Sequence, residues 1–222
     1  MTLNTPYADI RELPETIPVF PLSGALLLPR GELPLNIFEP RYVAMVDHAI
    51  ASERIIGMIQ PQQEAETLGQ APSLFQIGCA GRVTRFAETG DGRYLITLTG
   101  VSRFRTKEET SAQTPYRTFR VCYEKFHADL LPGAGENAVD RAAVVAMLRV
   151  FAEQSSLEID WASIDAAPTE ALVNALSMMC PFGANDKQAL IEAIDLKARA
   201  ETLIALAQLD LAQRERDRPQ WH

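Results

Sequence analysis

The sequence predicts an α+β protein: a small, highly curved β-sheet or barrel with one embedded helix, followed by a helical lobe. Three observations carry this. Short apolar runs that alternate with polar residues recur up to about Leu130, separated by Pro and Gly turn signals, as in small curved sheets. One helical stripe interrupts them. After Leu131-Pro132-Gly133 the alternation stops and helical periodicity takes over, which divides the chain into 17–130 and 131–214.

Residues 1–16 are polar, hold two prolines and read as a loose leader. The runs IPVF and LPLNIF follow. Each carries a proline, which cannot donate to a ladder and so favours strand starts and edges. Pro29-Arg30-Gly31 between them reads as a turn, with Gly31 free to take positive φ. Glu39 is the expected N-cap of a helix whose first residue is Pro40, where a missing N–H costs nothing. Apolar residues at Tyr42, Val43, Met45, Val46, Ala49 and Ile50 give that helix its stripe. Arg41 lies in a first turn that repels cations, so it should need a carboxylate or carbonyl partner. Then RIIGMI reads as a buried strand.

Residues 61–72 (PQQEAETLGQAP) are polar and predict an exposed loop. The run LFQIGCAGRVTRFAE follows, with Gly78 and Gly81 marking a bend or bulge. Asp91-Gly92 predicts a tight hairpin leading to RYLITLTG. VSRFRTKEE and RTFRVCYEKFHADL bring the expected total to about seven short strands. In the second part, a helix is expected from an Asn137 N-cap through AVDRAAVVAMLRVFAEQ, apolar on most of its surface. PTEALVNALSMMC ends at Pro181-Phe182-Gly183. Asn185 is the expected cap of NDKQALIEAI, and a last helix runs through DLKARAETLIALAQLDLAQRER. Four or five helices result.

VFPL, LPRGELPLNIFEPRYVAMV, IIGMI and, far downstream, NDKQALIEAIDLKARAETLIALAQ resemble the amino-terminal substrate-binding domain of the Lon protease family, in its stand-alone form. The resemblance covers about residues 17–212. It implies that Pro29, Gly31, Pro34, Phe38, Glu39, Pro40, Arg41 and Tyr42 form a structural motif. It also implies a PUA-like sheet lobe and a non-catalytic role: binding unfolded or apolar-rich polypeptide segments, or acting as an adaptor to a protease or chaperone in protein quality control. Curved sheets can accept an added peptide strand. On that ground Val19 and Phe20 of IPVF, with Leu35 and Ile37 of LPLNIF, are the partner-binding candidates.

Composition narrows the alternatives. Net charge is −8, with 8 basic against 14 acidic side chains in 131–222. That weighs against a phosphate-binding surface, which needs clustered Lys and Arg. RNA stays as an alternative through the PUA-like analogy, using a groove of Arg82, Arg85, Arg93, Arg103, Arg105, Arg117 and Arg120 with Phe86, Tyr94 and Phe104. The competing reading makes those arginines a solvated face paired with acids. Cys79, Cys122 and Cys180, 43 and 58 residues apart, fit neither a disulfide framework nor a zinc site and read as buried free thiols in a reducing cytoplasm. No signal segment or membrane span is expected.

Gly133-x-Gly135-x-x-Ala138 imitates a dinucleotide fingerprint, but Ser155-Ser156-Leu157-Glu158 is too polar and short to supply the second strand. Ser23 or Ser102 with His48 would be a small hydrolase's nucleophile and base, yet Ser23 lacks the Gly-x-Ser-x-Gly elbow. His127 and His222 are scattered, and carboxylate pairs such as Glu64/Glu66 and Glu108-Glu109 read as solvated. The phosphate-cradling Gly-x-x-x-x-Gly-Lys-Ser/Thr of the family's ATPase module is absent from the sequence. No enzyme activity, metal or cofactor is expected, and the oligomeric state, a dimer included, is left open.

Overall fold

In the computed structural model, residues 4–62, 72–110, 113–155 and 158–217 are described. Most of the polar connection 61–72 lies outside these residues, as do Ser156, Leu157 and His222. The sheet strands are β1 (Thr16–Pro21), β2 (Glu32–Ile37), β3 (Ile55–Ile59), β4 (Ile77–Glu88), β5 (Tyr94–Glu109) and β6 (Thr118–Cys122). Helix α1 (Pro40–Ala51) is embedded among them. Then come α2 (Arg141–Ser155), α3 (Trp161–Ala166), α4 (Thr169–Met179), α5 (Ala184–Glu192) and α6 (Leu196–Asp217).

Strand order is β2-β5-β4-β3-β1-β6, and β6 also pairs with the far end of β5, so the ladder turns back on itself. The expected seven short strands are six, because Gly100 does not break the chain: residues 94–109 form one strand that serves β2, β4 and β6 in turn. Register shifts at Ala80/Gly81 and Val83/Arg85 bend β4, in the region where Gly78 and Gly81 predict a bend. The β4–β5 hairpin forms, but through the five residues Thr89 to Arg93 rather than a tight turn, with Gly90 and Gly92 both at positive φ.

In α1, Tyr42, Met45, Val46 and Ala49 are buried, the i, i+3, i+4, i+7 face that the sequence spacing implies. Tyr42 packs on Phe20 with ring centroids 4.2 Å apart. Glu39 occupies the N-cap, but its carbonyl, not its carboxylate, receives the N–H groups of Tyr42 and Val43. The carboxylate turns instead to Arg41, 2.7 Å away, which is the partner Arg41 needs.

Several expectations are corrected. Residues 9–14 are not a loose leader. Asp9 caps a 3-10 turn at Ile10–Glu12, Leu13 is buried, and the Tyr123 hydroxyl donates to the Pro14 carbonyl at 3.1 Å. Strand β1 is not an edge. Residues 16–18 pair with β6 and 19–21 pass to β3, so Pro18 sits at the hand-over, where a missing N–H is least costly. Val19, Phe20 and Ile37 are buried in the core, which removes their side chains from any surface contact. Of the four partner-binding candidates only Leu35 is partly exposed. Helix α2 starts at Arg141, with Asp140 accepting the Ala143 N–H, because Asn137 lies in a 3-10 turn. It is amphipathic rather than buried all round, with Val150 46% exposed. Gly183, not Asn185, precedes α5.

One continuous core joins the sheet to the helices, running from Phe20, Leu28, Met45 and Ile56 to Met147, Phe151, Leu190 and Leu203.

Candidate functional site

An open cleft of about 640 Å³ lies where the turn after residue 28 faces α4. Local chemistry builds both walls. The Gly31 N–H closes onto the Leu28 carbonyl at 2.9 Å, with Pro29 and Arg30 at the corners. Arg30, not Gly31, takes the positive φ, at 64°. This is the arrangement of a type II turn, in which proline favours the first corner and the second must be left-handed. A reciprocal pair at 2.8 Å (Arg30 N–H to Gly100 carbonyl, Gly100 N–H to Gly31 carbonyl) holds the turn on β5.

The opposite wall is one face of α4. Glu170, Asn174 and Met178 recur every fourth residue, with Ala171, Ala175 and Met179 one step round, so two adjacent ridges line the cleft. The start of α4 is fixed by exchange with the preceding linker: the Glu136 carboxylate accepts the Glu170 N–H at 2.7 Å, and the Glu170 carboxylate accepts the Gly133 N–H at 2.9 Å. Glu170 also forms an ion pair with Arg30, whose Nη1 donates to the Asp129 carbonyl at 2.6 Å. Asn174 donates to the Pro29 carbonyl at 3.1 Å and accepts from Arg199 at 2.9 Å. Turn, linker and helix are thus tied at one corner. Met178 packs beside Gly31, while Met179 is 80% exposed at the rim.

Beneath the cleft lies a buried ion pair. Arg103 meets the two oxygens of Asp129 through Nε and Nη2, both at 2.9 Å, and its Nη1 donates to the carbonyls of Ile191 and Ala193. Arg199, also buried, donates to the Leu190 carbonyl. Burial pushes its guanidinium down to about 10, which leaves it cationic at neutral pH.

The cationic groove, held in sequence as the alternative to a face of acid-paired arginines, does not assemble. Arg103 is interior, and Arg85, Arg93, Arg117 and Arg120 pair with Glu32, Asp91, Glu109 and Glu108. Arg82 donates to the Thr5 carbonyl and stacks on Tyr7. Phe104 is fully buried, and Phe86 and Tyr94 contact each other edge to face.

Nor does the structure join the residues considered for catalysis. The Ser102 hydroxyl is buried on the Arg103 carbonyl, Ser23 is exposed, and exposed His48 lies edge-on to Tyr116. Gly133 and Gly135, both at positive φ, turn the chain into the 3-10 segment Glu136–Ala138. Among the described residues no group of three His, Cys, Asp or Glu side chains could hold a metal ion. Cys79, Cys122 and Cys180 are free, and no described helix is long and apolar enough to cross a membrane.

Of the sequence-predicted motif, Pro29 and Gly31 line the cleft, and Pro34 lies on β2, which borders it. Phe38 is exposed, and Glu39 to Tyr42 start α1. Sequence reasoning missed the α4 wall. Its signal was the small and polar residues at Glu170, Ala171, Asn174 and Ala175, a face too mixed for an ordinary core contact.

These features define an α+β domain in which helices cover a curved sheet, with an open, largely apolar cleft between the 28–31 turn and α4. The description "ATP-dependent protease La (LON) substrate-binding domain" matches residues 16–208, and the chain belongs to that family. Similar proteins include Lon protease 2 of Sorangium cellulosum, 27% identical over 86% of this chain, and Lon protease 2 of Myxococcus xanthus, 24% identical over 88%. The chain spans 24% of the length of each. Among solved structures, the fold resembles a Lon N-terminal domain protein from Xanthomonas campestris: TM-score 0.58, 21% identity, 86% of this chain and 97% of that one. It also resembles the N-terminal domain of the Mycobacterium avium complex Lon protease, with TM-score 0.60, 15% identity, and 87% and 98% covered.

Proposed function

We propose that this chain is a non-catalytic module that holds exposed apolar segments of other polypeptides in the cleft between the 28–31 turn and α4. The carrying observation is the cleft itself. Its surface is mainly apolar, it is open to solvent, and two methionines stand at its wall and rim. Methionine has three rotatable bonds and a polarisable sulfur, so such a surface adapts to many side chains instead of selecting one. The substrate-binding family supports the same role. The carboxylates and guanidinium of the cleft are engaged in capping and pairing, which suits a structural rather than a proton-transferring part.

Strand β2 offers a subsidiary contact. Among the described residues it pairs only with β5, and it begins in the cleft wall. Pro34 at its middle removes one N–H, so an added strand would gain few main-chain bonds there. In a cell such a module would serve protein quality control as an adaptor, working in the reducing cytoplasm that its free thiols suit.

Binding should be modest, about micromolar to millimolar on the usual affinity scale. The test is titration of the purified chain with a destabilised, fluorescently labelled protein and with single-stranded RNA. The expected result is saturable binding to the unfolded protein and none to RNA, with Met179→Glu weakening binding roughly tenfold at unchanged thermal stability. RNA binding that collapses with salt, alongside no binding to unfolded protein, would overturn this reading.

A further inference from the structure

Resting on that reading of the cleft, we propose that it selects apolar segments flanked by lysine or arginine over the same segments flanked by acids. The cleft lining contains three carboxylates, Glu32, Glu136 and Glu170, against one guanidinium, Arg30. Arg30 is committed: it pairs with Glu170 and donates to the Asp129 carbonyl. Glu136 accepts the N–H of Glu170 and has no cation partner among the described residues, so its negative charge remains at the cleft wall. Glu32, on the first residue of β2, has only Arg85 at 3.5 Å, and both side chains are more than half exposed. A pair that loose in water is weak and can be replaced by another cation.

These two carboxylates come from different elements of the lining, β2 and the linker before α2, and the apolar ridge of Ala171, Ala175 and Met179 belongs to the same lining. A segment seated on that ridge lies in a lining whose uncommitted charge is negative, and the long stems of Lys or Arg on its neighbouring positions can carry a cation toward it. The net charge of −8 adds a field that draws cationic segments and repels anionic ones. The consequence is discrimination by charge at the flanks and tolerance at the centre.

The experiment uses three short synthetic peptides with one Leu-Phe-Leu centre and flanks of Lys, Ser or Glu, followed by fluorescence anisotropy against the whole chain. At low salt the Lys-flanked peptide should bind roughly three- to tenfold tighter than the Ser-flanked one and the Glu-flanked peptide weakest, the differences shrinking as salt is added. In the Glu32→Gln/Glu136→Gln variant the ratio of Lys-flanked to Glu-flanked affinity should fall to near one, with the Ser-flanked peptide as the common reference. Gln at 136 keeps an oxygen for the Glu170 N–H, and Glu32→Gln alone should show about half the effect if the double variant folds poorly. Equal affinities for all three peptides, each lost in Met179→Glu, would overturn the charge selection and leave the cleft reading standing. A Lys preference that survives in the double variant would overturn the assignment to these carboxylates. No binding of any peptide would overturn both readings.

Discussion

At the scale of single residues, the turn beside the cleft shows how a local pattern can be right in place and wrong in cause. Gly31 is the residue that a sequence reader credits with positive φ, yet Arg30 takes it. Gly31 is small for another reason: a Cβ there would lie 2.4 Å from the Met178 sulfur. Gly100 is more constrained, since its Cβ would stand 2.0 Å from the Leu28 carbonyl oxygen, a backbone atom that the turn holds in place. Gly100→Ala should therefore destabilise by about 2–3 kcal/mol, the upper range for overpacking, and Gly31→Ala by less than about 1 kcal/mol, because a methionine end can move aside. Urea denaturation of the two variants decides the order; equal losses would mean that the turn shifts freely on β5.

At the scale of elements, what matters is which strands and helices are tied together by groups that cannot be exposed. β5 is held to the residues preceding α6 through Arg103, which binds Asp129 on one side and the carbonyls of Ile191 and Ala193 on the other. A buried pair contributes little net stability relative to an apolar replacement, but breaking one half leaves an uncompensated charge. Asp129→Ala should accordingly cost about 3–5 kcal/mol, and Arg103→Met combined with Asp129→Leu should recover much of it. Chemical denaturation of the single and double variants measures both, and a double variant worse than the single one would show that the carbonyl contacts of Arg103 dominate.

At the scale of the whole molecule, one core cluster crosses the change from strands to helices after Cys122, although a further cluster lies within each part. Phe20, Leu28 and Met45 share one cluster with Phe151, Leu190 and Leu203. Removing the helices would expose the apolar surface that they cover, so residues 17–130 alone should not hold a native fold. Calorimetry of the full chain should give one transition with matching calorimetric and van't Hoff enthalpies. Two separated transitions, or a 17–130 fragment with native-like amide dispersion, would contradict this.

The order of strands and helices, the α1 face and the bend in β4 were legible in the sequence, because period 2, period 3.6 and proline or glycine punctuation act over a few residues. The F-E-P-R-Y start of α1 was legible for the same reason, as was the need of Arg41 for a carboxylate or carbonyl, although not that Glu39 would supply it. The edges were not. Pro18 and Pro34 look alike in sequence, but β1 lies between β3 and β6 while β2 has one neighbour, a difference made by pairings across tens of residues. Nor could the sequence tell that Arg103 is interior while Arg85 and Arg120 are not, since all three alternate with apolar residues in strands. Their fates depend on whether a carboxylate such as Asp129 and the carbonyls at the end of α5 arrive from elsewhere in the chain. The cleft belongs to the same class: its walls, Pro29 to Glu32 and Glu170 to Met179, are some 140 residues apart and meet through the Arg30–Glu170 pair, the Asn174 hydrogen bond to Pro29 and the packing of Met178 beside Gly31. Local periodicity determined the elements, and long-range pairing of buried charge and apolar surface decided where the candidate site would form.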